Sequence, residues 1–355
     1  MHRLATASLV VAVALAAASV SAATLTLAAD PAVTTVGSEV TFTFSPAILT
    51  ADDSLTFHFG DGSTGAAQWS SACSLFGGCT TITHIYVGAG TFTVEAEGTI
   101  GGTDVSGSTQ VSVEEPPEPD TPADLYVLAA AHSEGSNGTV WRSDVELQNY
   151  GRKSLTVTVD LLRRNQDNSQ PSSRDITMGI GASVRLADVL ATEFGVTNGA
   201  AALRLVPSAA TLAATSRTYN AGPDGTYGQF VPADPVGDAV TSGEVGRLLQ
   251  LSHDPSLAQG FRTNLGLLSA TAVPLPVRAS FYLADGRLLG SVDVTLAPYE
   301  FRQLDRAFEQ VTPDVVADGY VLVSTSLSGG RFFAYASVVD NLTGDPTLVP
   351  AIVTP

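Results

Sequence analysis

Three aspartates, Asp52, Asp53 and Asp61, are hard oxygen donors in a stretch that carries no Lys or Arg from Ala23 to Asp124. Calcium takes six to eight oxygen ligands, so the three form a candidate calcium set. The EF-hand spacing D-x-[DN]-x-[DN]-G is absent, however, and a run of residues separates Asp61 from the other two. The run "LTFHFGDGSTG", Leu55 to Gly65, also invites a phosphate cradle. That cradle needs a glycine-rich turn feeding a helix, usually with a lysine, and no lysine follows here. A tight turn explains most: Gly60 and Gly62 tolerate positive φ, and the Asp61 carboxylate can accept nearby backbone N–H groups. Calcium stays as an alternative, and no other cofactor is expected.

Cys73 and Cys79, in "ACSLFGGCT", are read as a disulfide clipping a loop. Beyond the leader there are four histidines, His58, His84, His132 and His253, and no two share a metal-ligand spacing. No G-x-S-x-G elbow is present. His58 falls on the outward phase of its strand, and His84 is read as a structural hydrogen-bonding group. His132 and His253 each precede a matching strand, which suggests a shared loop role. Arg142 and Asp144 stand two apart on one strand face, so they are candidates to pair there or to hold a carboxylate or sugar. Trp141, Tyr150, Tyr219 and Tyr227 are the aromatics suited to stack on a sugar ring. Asn137 and Asn341 fit the glycosylation sequon.

Positioning such groups begins with getting the chain out of the cell. A basic start (His2, Arg3), the apolar run Leu9 to Ala18 and the small residues before Ala22 have the layout of a signal peptide, residues 1–22. Ten apolar residues are too few to cross the roughly 30 Å hydrocarbon core. The mature chain is therefore expected to be exported, secreted or at the cell surface, without membrane insertion. The full sequence holds 17 basic and 35 acidic residues. This acidic exterior disfavours nucleic acid and anionic lipid as partners.

Alternation with period two dominates. Val40, Phe42 and Phe44 share one strand face and Glu39, Thr41 and Thr43 the other, and the pattern recurs in "LTFHF", "GTFTVEAEGTI" and "TQVSVEE". Short runs bounded by Gly, Pro or Asp read as antiparallel strands. Residues 23–113 form one β-sandwich in this reading. Residues 114–124, with four prolines and five acids, form a semi-rigid linker. An internal repeat follows. "WRSDVELQN" (Trp141 to Asn149) matches "FRTNLGLLS" (Phe261 to Ser269) at a shift of 120, and "FVPA" (Phe230 to Ala233) matches "LVPA" (Leu348 to Ala351). Each unit should run through strands, a hairpin, a short helix ("LADVLATEFG"; "LDRAFEQV") and two further strands. The expected fold is all-β: three tandem immunoglobulin-like sandwiches, the second at 125–233, a joint at 234–243 and the third at 244–355.

The N-terminal motifs resemble a PKD domain, an immunoglobulin-like sandwich. They are the aromatic strand and Gly-Asp-Gly turn at Phe57–Gly62, His84 with Tyr86, and Gly90–Val94. The similarity covers about Ala23 to Val113. Phe57 replaces the family's usual Trp and His58 its usual Asp. The resemblance implies a mostly non-catalytic module of surface and secreted proteins, used for protein or polysaccharide contact or as a spacer. The function expected for the chain is accordingly a non-catalytic, modular contact protein of the cell exterior, or a spacer. Its partner would be an extracellular protein or polysaccharide. An accessory part of a secreted hydrolase and a calcium-stiffened spacer are the alternatives.

Overall fold

In Glu39–Ser45 and Ser54–His58 the side chains alternate between core and solvent, whereas Phe261–Ser269 and Arg331–Asp340 carry continuous buried runs. The computed structural model describes residues 23–45, 52–68, 81–118, 121–135, 139–222 and 225–355. Residues 1–22, expected as a signal peptide, and Cys73, Cys79 and Asn137 lie outside the described residues. The chain divides into two compact units between Pro117 and Glu118, inside the proline-rich linker. Among the described residues no helix is long and apolar enough to cross a membrane.

The first unit is a two-sheet sandwich. One sheet runs in the order Ala23–Thr24, Thr103–Glu114, Gly90–Ile100, Ser54–His58, Thr64–Gln68, with Val33–Thr35 pairing parallel to Thr103–Glu114. The facing sheet is Thr26–Asp30, Glu39–Ser45, Thr81–Ile85. Val40, Phe42 and Phe44 point inward from one sheet, meeting Leu55, Phe57 and Val94 from the other, all buried. Phe57, in the place of a Trp, is wholly buried between Phe44 and Phe59.

The second unit contains the two repeats, and each is a sandwich. In the first repeat, one sheet is Ser172–Met178, Leu155–Arg163, Gly199–Pro207, Leu125–Glu134, Gly225–Pro235. The other is Ser183–Leu186, Val140–Asn149, Leu212–Gly222 and again Gly225–Pro235. The last strand thus passes from one sheet to the other: Gly225 to Pro232 pair with Leu212–Gly222, and Ala233 to Pro235 with Leu125–Val127. In the second repeat, Leu288–Leu296, Leu275–Leu283, Val316–Thr325, Val245–His253 and Ile352–Thr354 face Phe301–Leu304, Phe261–Ser269, Arg331–Asp340 and Pro346–Pro350. Here the crossing strand is interrupted at Ala351, after Pro350, which has no N–H to donate to a ladder.

The repeat persists in the hydrogen-bond register. Arg142 lies opposite Tyr219, and Arg262 lies opposite Val339, a shift of 120 on both strands. A bulge interrupts Leu125–Glu134 after Val127 and Val245–His253 after Leu248, the corresponding place. The expected short helices are one α-helical turn, Val189–Thr192, and one 3-10 turn, Ala307–Gln310.

The two repeats do not stand apart on a joint. The segment 234–243 completes the strand Gly225–Pro235, forms a 3-10 turn at Val236–Asp238 and adds Val240–Thr241 to the second repeat. Each repeat has its own core, and a further buried cluster joins them. Tyr126, Leu128, Leu162 and Ala202 from the first meet Leu268, Phe301, Phe333 and Tyr335 from the second. Polar contacts reinforce this cluster. Arg164 forms a parallel bridge with Phe301, and the N–H of Asn165 donates to the Phe301 carbonyl at 2.8 Å. The Asn168 amide donates to the Tyr299 carbonyl at 3.1 Å, and Arg204 stacks over the Tyr299 ring at 4.7 Å.

Candidate functional site

The Gly-Asp-Gly turn of the first unit reverses the chain after the core strand Ser54–His58. Gly60 has φ +82 and Gly62 φ +91, and a Cβ on Gly60 would come within 2.7 Å of the Thr93 carbonyl oxygen. Asp61 accepts from the Ser63 N–H at 2.9 Å and from the Ser63 hydroxyl at 2.5 Å, and its other oxygen lies 2.7 Å from His84 Nε2. Burial raises the Asp61 pKa, but the Ser63 and His84 hydrogen bonds outweigh it and hold it at about 2. The His84 ring stacks on Phe59 at 4.1 Å and meets Tyr86 edge-on at 4.6 Å. The Tyr86 hydroxyl donates to the Phe59 carbonyl at 3.1 Å, and burial with the Asp61 charge pushes its pKa up to about 12.

Ser63, His84 and Asp61 are thus mutually close, but they are not arranged as a relay. A triad uses both imidazole nitrogens, one for the hydroxyl and one for the carboxylate. Here Nε2 alone faces both groups, with Ser63 Oγ at 3.4 Å, and the serine hydroxyl donates to the aspartate. The cluster ties a turn to the neighbouring sheet.

The candidate calcium set does not converge. Asp53 is buried at the start of Ser54–His58 and accepts the Gly101 N–H at 2.7 Å, whereas Asp61 lies beyond the end of that strand. Five strand residues at about 3.3 Å each hold the two on the order of 15 Å apart. Among the described residues, no three His, Cys, Asp or Glu side chains gather as a metal site.

In the first repeat, Arg142 and Asp144 do not pair with each other, although they share a strand face. Asp144 is buried and bound by Arg185, with Arg217 at 3.9 Å, and it accepts the backbone N–H of Asp188 at 2.9 Å. Burial opposes its charge, but Arg185 and the Asp188 N–H prevail and hold its carboxyl below the usual range. Arg142 reaches Asp188 instead, at 3.8 Å, and His132 Nδ1 lies 2.8 Å from the same carboxylate. Tyr219 lies opposite Arg142 in the ladder and under the Arg217 guanidinium, 4.2 Å from its ring centroid. Asp188 has φ 51, a left-handed conformation in front of the helical turn. The second repeat builds the same corner. Arg306 has φ 48 before its 3-10 turn, and Asn264 Oδ1 accepts its N–H at 2.9 Å. His253, the counterpart of His132, is buried at the end of its strand and stacks on Phe308 at 6.2 Å.

The aromatic candidates separate. Trp141 and Tyr227 meet edge-on at 5.7 Å, and the Asn220 amide donates to the Tyr227 hydroxyl at 2.9 Å. Tyr150 is exposed elsewhere, its hydroxyl donating to the Ala210 carbonyl. Asn341 spends its amide N–H groups on the carbonyls of Ser256 and Gln259, at 3.0 and 2.9 Å.

Trp141 borders a cleft of about 360 Å³ between the repeats. Arg164, Gln229, Arg262, Gln303 and Tyr335 also line it. Arg164 Nη2 donates to the Gln303 carbonyl at 2.8 Å and to Asp305 at 2.7 Å, while its Nε is buried and without a partner among the described residues. Arg262 donates to Asn341 Oδ1 at 2.9 Å, and burial pushes its pKa down. The Tyr335 hydroxyl donates to Gln303 Oε1 at 3.2 Å. Gln229, Gln303 and Tyr335 escaped sequence reasoning because the cleft exists only once the repeats pack. Arg262 was visible as the repeat partner of Arg142. A second groove, on the outer face of the first repeat, has Asp144, Arg185, Arg217 and exposed Phe230 on its walls.

The sequence matches no curated protein. Solved structures that align over nearly the whole chain include the following three. One is a study of the promiscuous specificity of carbohydrate-binding modules from the β-sandwich superfamily, with 12% identity, 92% of this chain and 98% of that one covered, and a TM-score of 0.23. The FN1–FN3 domains of chicken CNTN1 share 11% identity over 93% of this chain and 97% of that one, TM-score 0.21. A tetra-tandem repeat from the extending region of a large adhesion protein shares 13% over 93% and 73%, TM-score 0.19. Residues 24–113 match the family model for the PKD domain, and with its buried aromatic strand, Gly-Asp-Gly turn and His84–Tyr86 pair the first unit of the chain is a PKD domain.

Proposed function

We propose that this is an exported, non-catalytic contact protein in which the PKD domain is a stiff module and the fused repeats hold a segment of extracellular polysaccharide. The observation that carries the reading is the inter-repeat cleft. Its volume, about 360 Å³, falls in the range of small-molecule sites. Its walls combine the flat ring of Trp141 with the Tyr335 hydroxyl end, the amides of Gln229 and Gln303 and two guanidinium groups. Hydroxyl-rich rings need that mixture: apolar faces to lie against and fixed donors and acceptors at the edges. The Ser63–His84–Asp61 cluster supports the non-catalytic part, since the serine hydroxyl donates to a carboxylate whose pKa is held at about 2, too weak a base to take its proton.

The test is a binding screen of the purified mature chain against immobilised extracellular polysaccharides and envelope proteins. Polysaccharide retention that Trp141→Ala reduces at least tenfold, with the melting temperature unchanged, supports the reading. Retention of proteins alone, or polysaccharide retention indifferent to Trp141, overturns it.

A further inference from the structure

We infer that the cleft between the repeats is selective for a carboxylate-bearing saccharide, a uronic acid chain, with Arg262 as its principal charge partner. This deepens the proposed function and rests on it. The first observation is a segregation of charge. The sequence holds 35 acidic residues against 17 basic ones, yet among the described residues no Asp or Glu lines the cleft, while Arg262 and Arg164, the latter paired with Asp305 behind it, do. A neighbouring hollow of about 410 Å³ shares Arg164, Gly199 and Ala200 with it and adds Arg163, Asn165 and Gln166, again without an acid among the described residues. In so acidic a chain, a continuous wall of guanidinium and amide groups is where an anionic polymer can lie.

The second observation is unspent donor capacity. A guanidinium offers five N–H donors in a planar fork that matches a carboxylate. Arg262 is half-buried, and among the described residues its hydrogen bond goes to the neutral amide oxygen of Asn341. Among the described residues no carboxylate forms an ion pair with it, Asp305 and Asp340 acting only from a distance. Arg164, though paired through Nη2 with Asp305 and the Gln303 carbonyl, keeps its buried Nε unpartnered among the described residues at the same cleft. A half-buried cation without a counter-ion is costly, and a ligand carboxylate that supplies one gains a charge-assisted pair. The acidic remainder of the surface does not forbid this. At physiological ionic strength charges farther than about 8 Å are largely screened, so the groups lining the cleft decide.

The experiment compares two forms of one polymer. Oligogalacturonate and its fully methyl-esterified form have the same backbone and differ in charge. Each is titrated into the full mature chain, carrying Trp69→Phe so that Trp141 alone reports by fluorescence, with chelator present. Acid-form binding at least tenfold tighter than ester binding, weakened by raised salt, is expected. Arg262→Gln should remove that preference while leaving the weaker ester binding in place. If Arg262→Gln does not fold, Arg164→Lys, which keeps charge but loses the fork, should lower the preference severalfold. Equal binding of acid and ester would overturn the inference and leave the contact function standing with a neutral polymer. Failure of both forms, together with every neutral polysaccharide of the screen, would remove the contact function itself.

Discussion

Asp144 and Asn264, 120 positions apart, hold equivalent corners of the two repeats. Each side-chain oxygen accepts, at 2.9 Å, the backbone N–H of a left-handed residue, Asp188 or Arg306, that starts a short helical turn. The shared requirement is an oxygen of the right reach, which aspartate and asparagine both supply. Only Asp144 adds ion pairs, to Arg185 and Arg217.

The cap and the charge can therefore be separated. Asn264→Ala should cost about 1–2 kcal/mol, the usual worth of a cap or an orphaned buried donor. Asp144→Ala should cost about 1–3 kcal/mol, and Asp144→Asn should recover at least half of that. Urea unfolding of the full chain reads these differences. Equal losses for the alanine and asparagine variants at position 144 would show that the ion pairs, not the cap, hold the corner.

The buried cluster between the repeats makes them one folding unit. Calorimetry of the mature chain should show two transitions, for the PKD domain and for the fused repeats. Phe301 is fully buried at the junction, and Phe301→Ala should cost about 3–5 kcal/mol and lower the whole second transition. A third transition, or a shift confined to one repeat, would contradict this.

His253 makes the second unit sensitive to acid. Burial, with Arg306 nearby, pushes its pKa below 6.5, and neither ring nitrogen has a hydrogen-bond partner among the described residues. Glu309, 3.8 Å away, and Asp254 favour the charged form but do not offset the burial. A depressed folded-state pKa means the unfolded chain takes up the proton first. Stability is therefore full above pH 6.5 and falls as the pH drops toward the lower folded value. His253→Phe, which keeps the ring against Phe308, should flatten that part of the pH profile. An unchanged profile would refute the assignment.

Asp61 acts in a more acidic window. Its pKa falls from 3.8 to about 2 in the folded PKD domain, so its contribution is complete above pH 3.8 and disappears as the pH falls through about 2. Asp61→Asn should lower the melting temperature at pH 7 and lose this dependence. A melting temperature at pH 7 equal to that of the parent chain would show that the turn holds without the carboxylate.

Much of the architecture was legible because strand alternation and glycine turns are local. Val40, Phe42, Phe44, Leu55 and Phe57 each follow from a period of two, and Gly60 and Gly62 from the turn they make. The repeat exposed the equivalence of Asp144 and Asn264, but not their cap, because the partner backbone comes more than forty residues later. Arg142 and Asp144 looked like a pair because they share a face. The structure gives Asp144 to Arg217, directly opposite on one neighbouring strand, and to Arg185, diagonal to it on the other and within reach of a long side chain. The fusion of the repeats was hidden for a different reason. Tyr126, Leu128, Leu162 and Phe333 occupy positions that serve equally well against a core or against a second body.

The hairpin loop of the first repeat, residues 164–171, is longer than its counterpart at 284–287, and its Arg164 and Asn165 bind the edge strand Phe301–Leu304. Docking of one copy's loop on another copy's edge is head-to-tail, a geometry that can go on adding members without limit. The clipped loop of the second repeat lacks those residues. Growth by this contact therefore stops at two, and the duplication yields a closed pair in place of an open-ended stack.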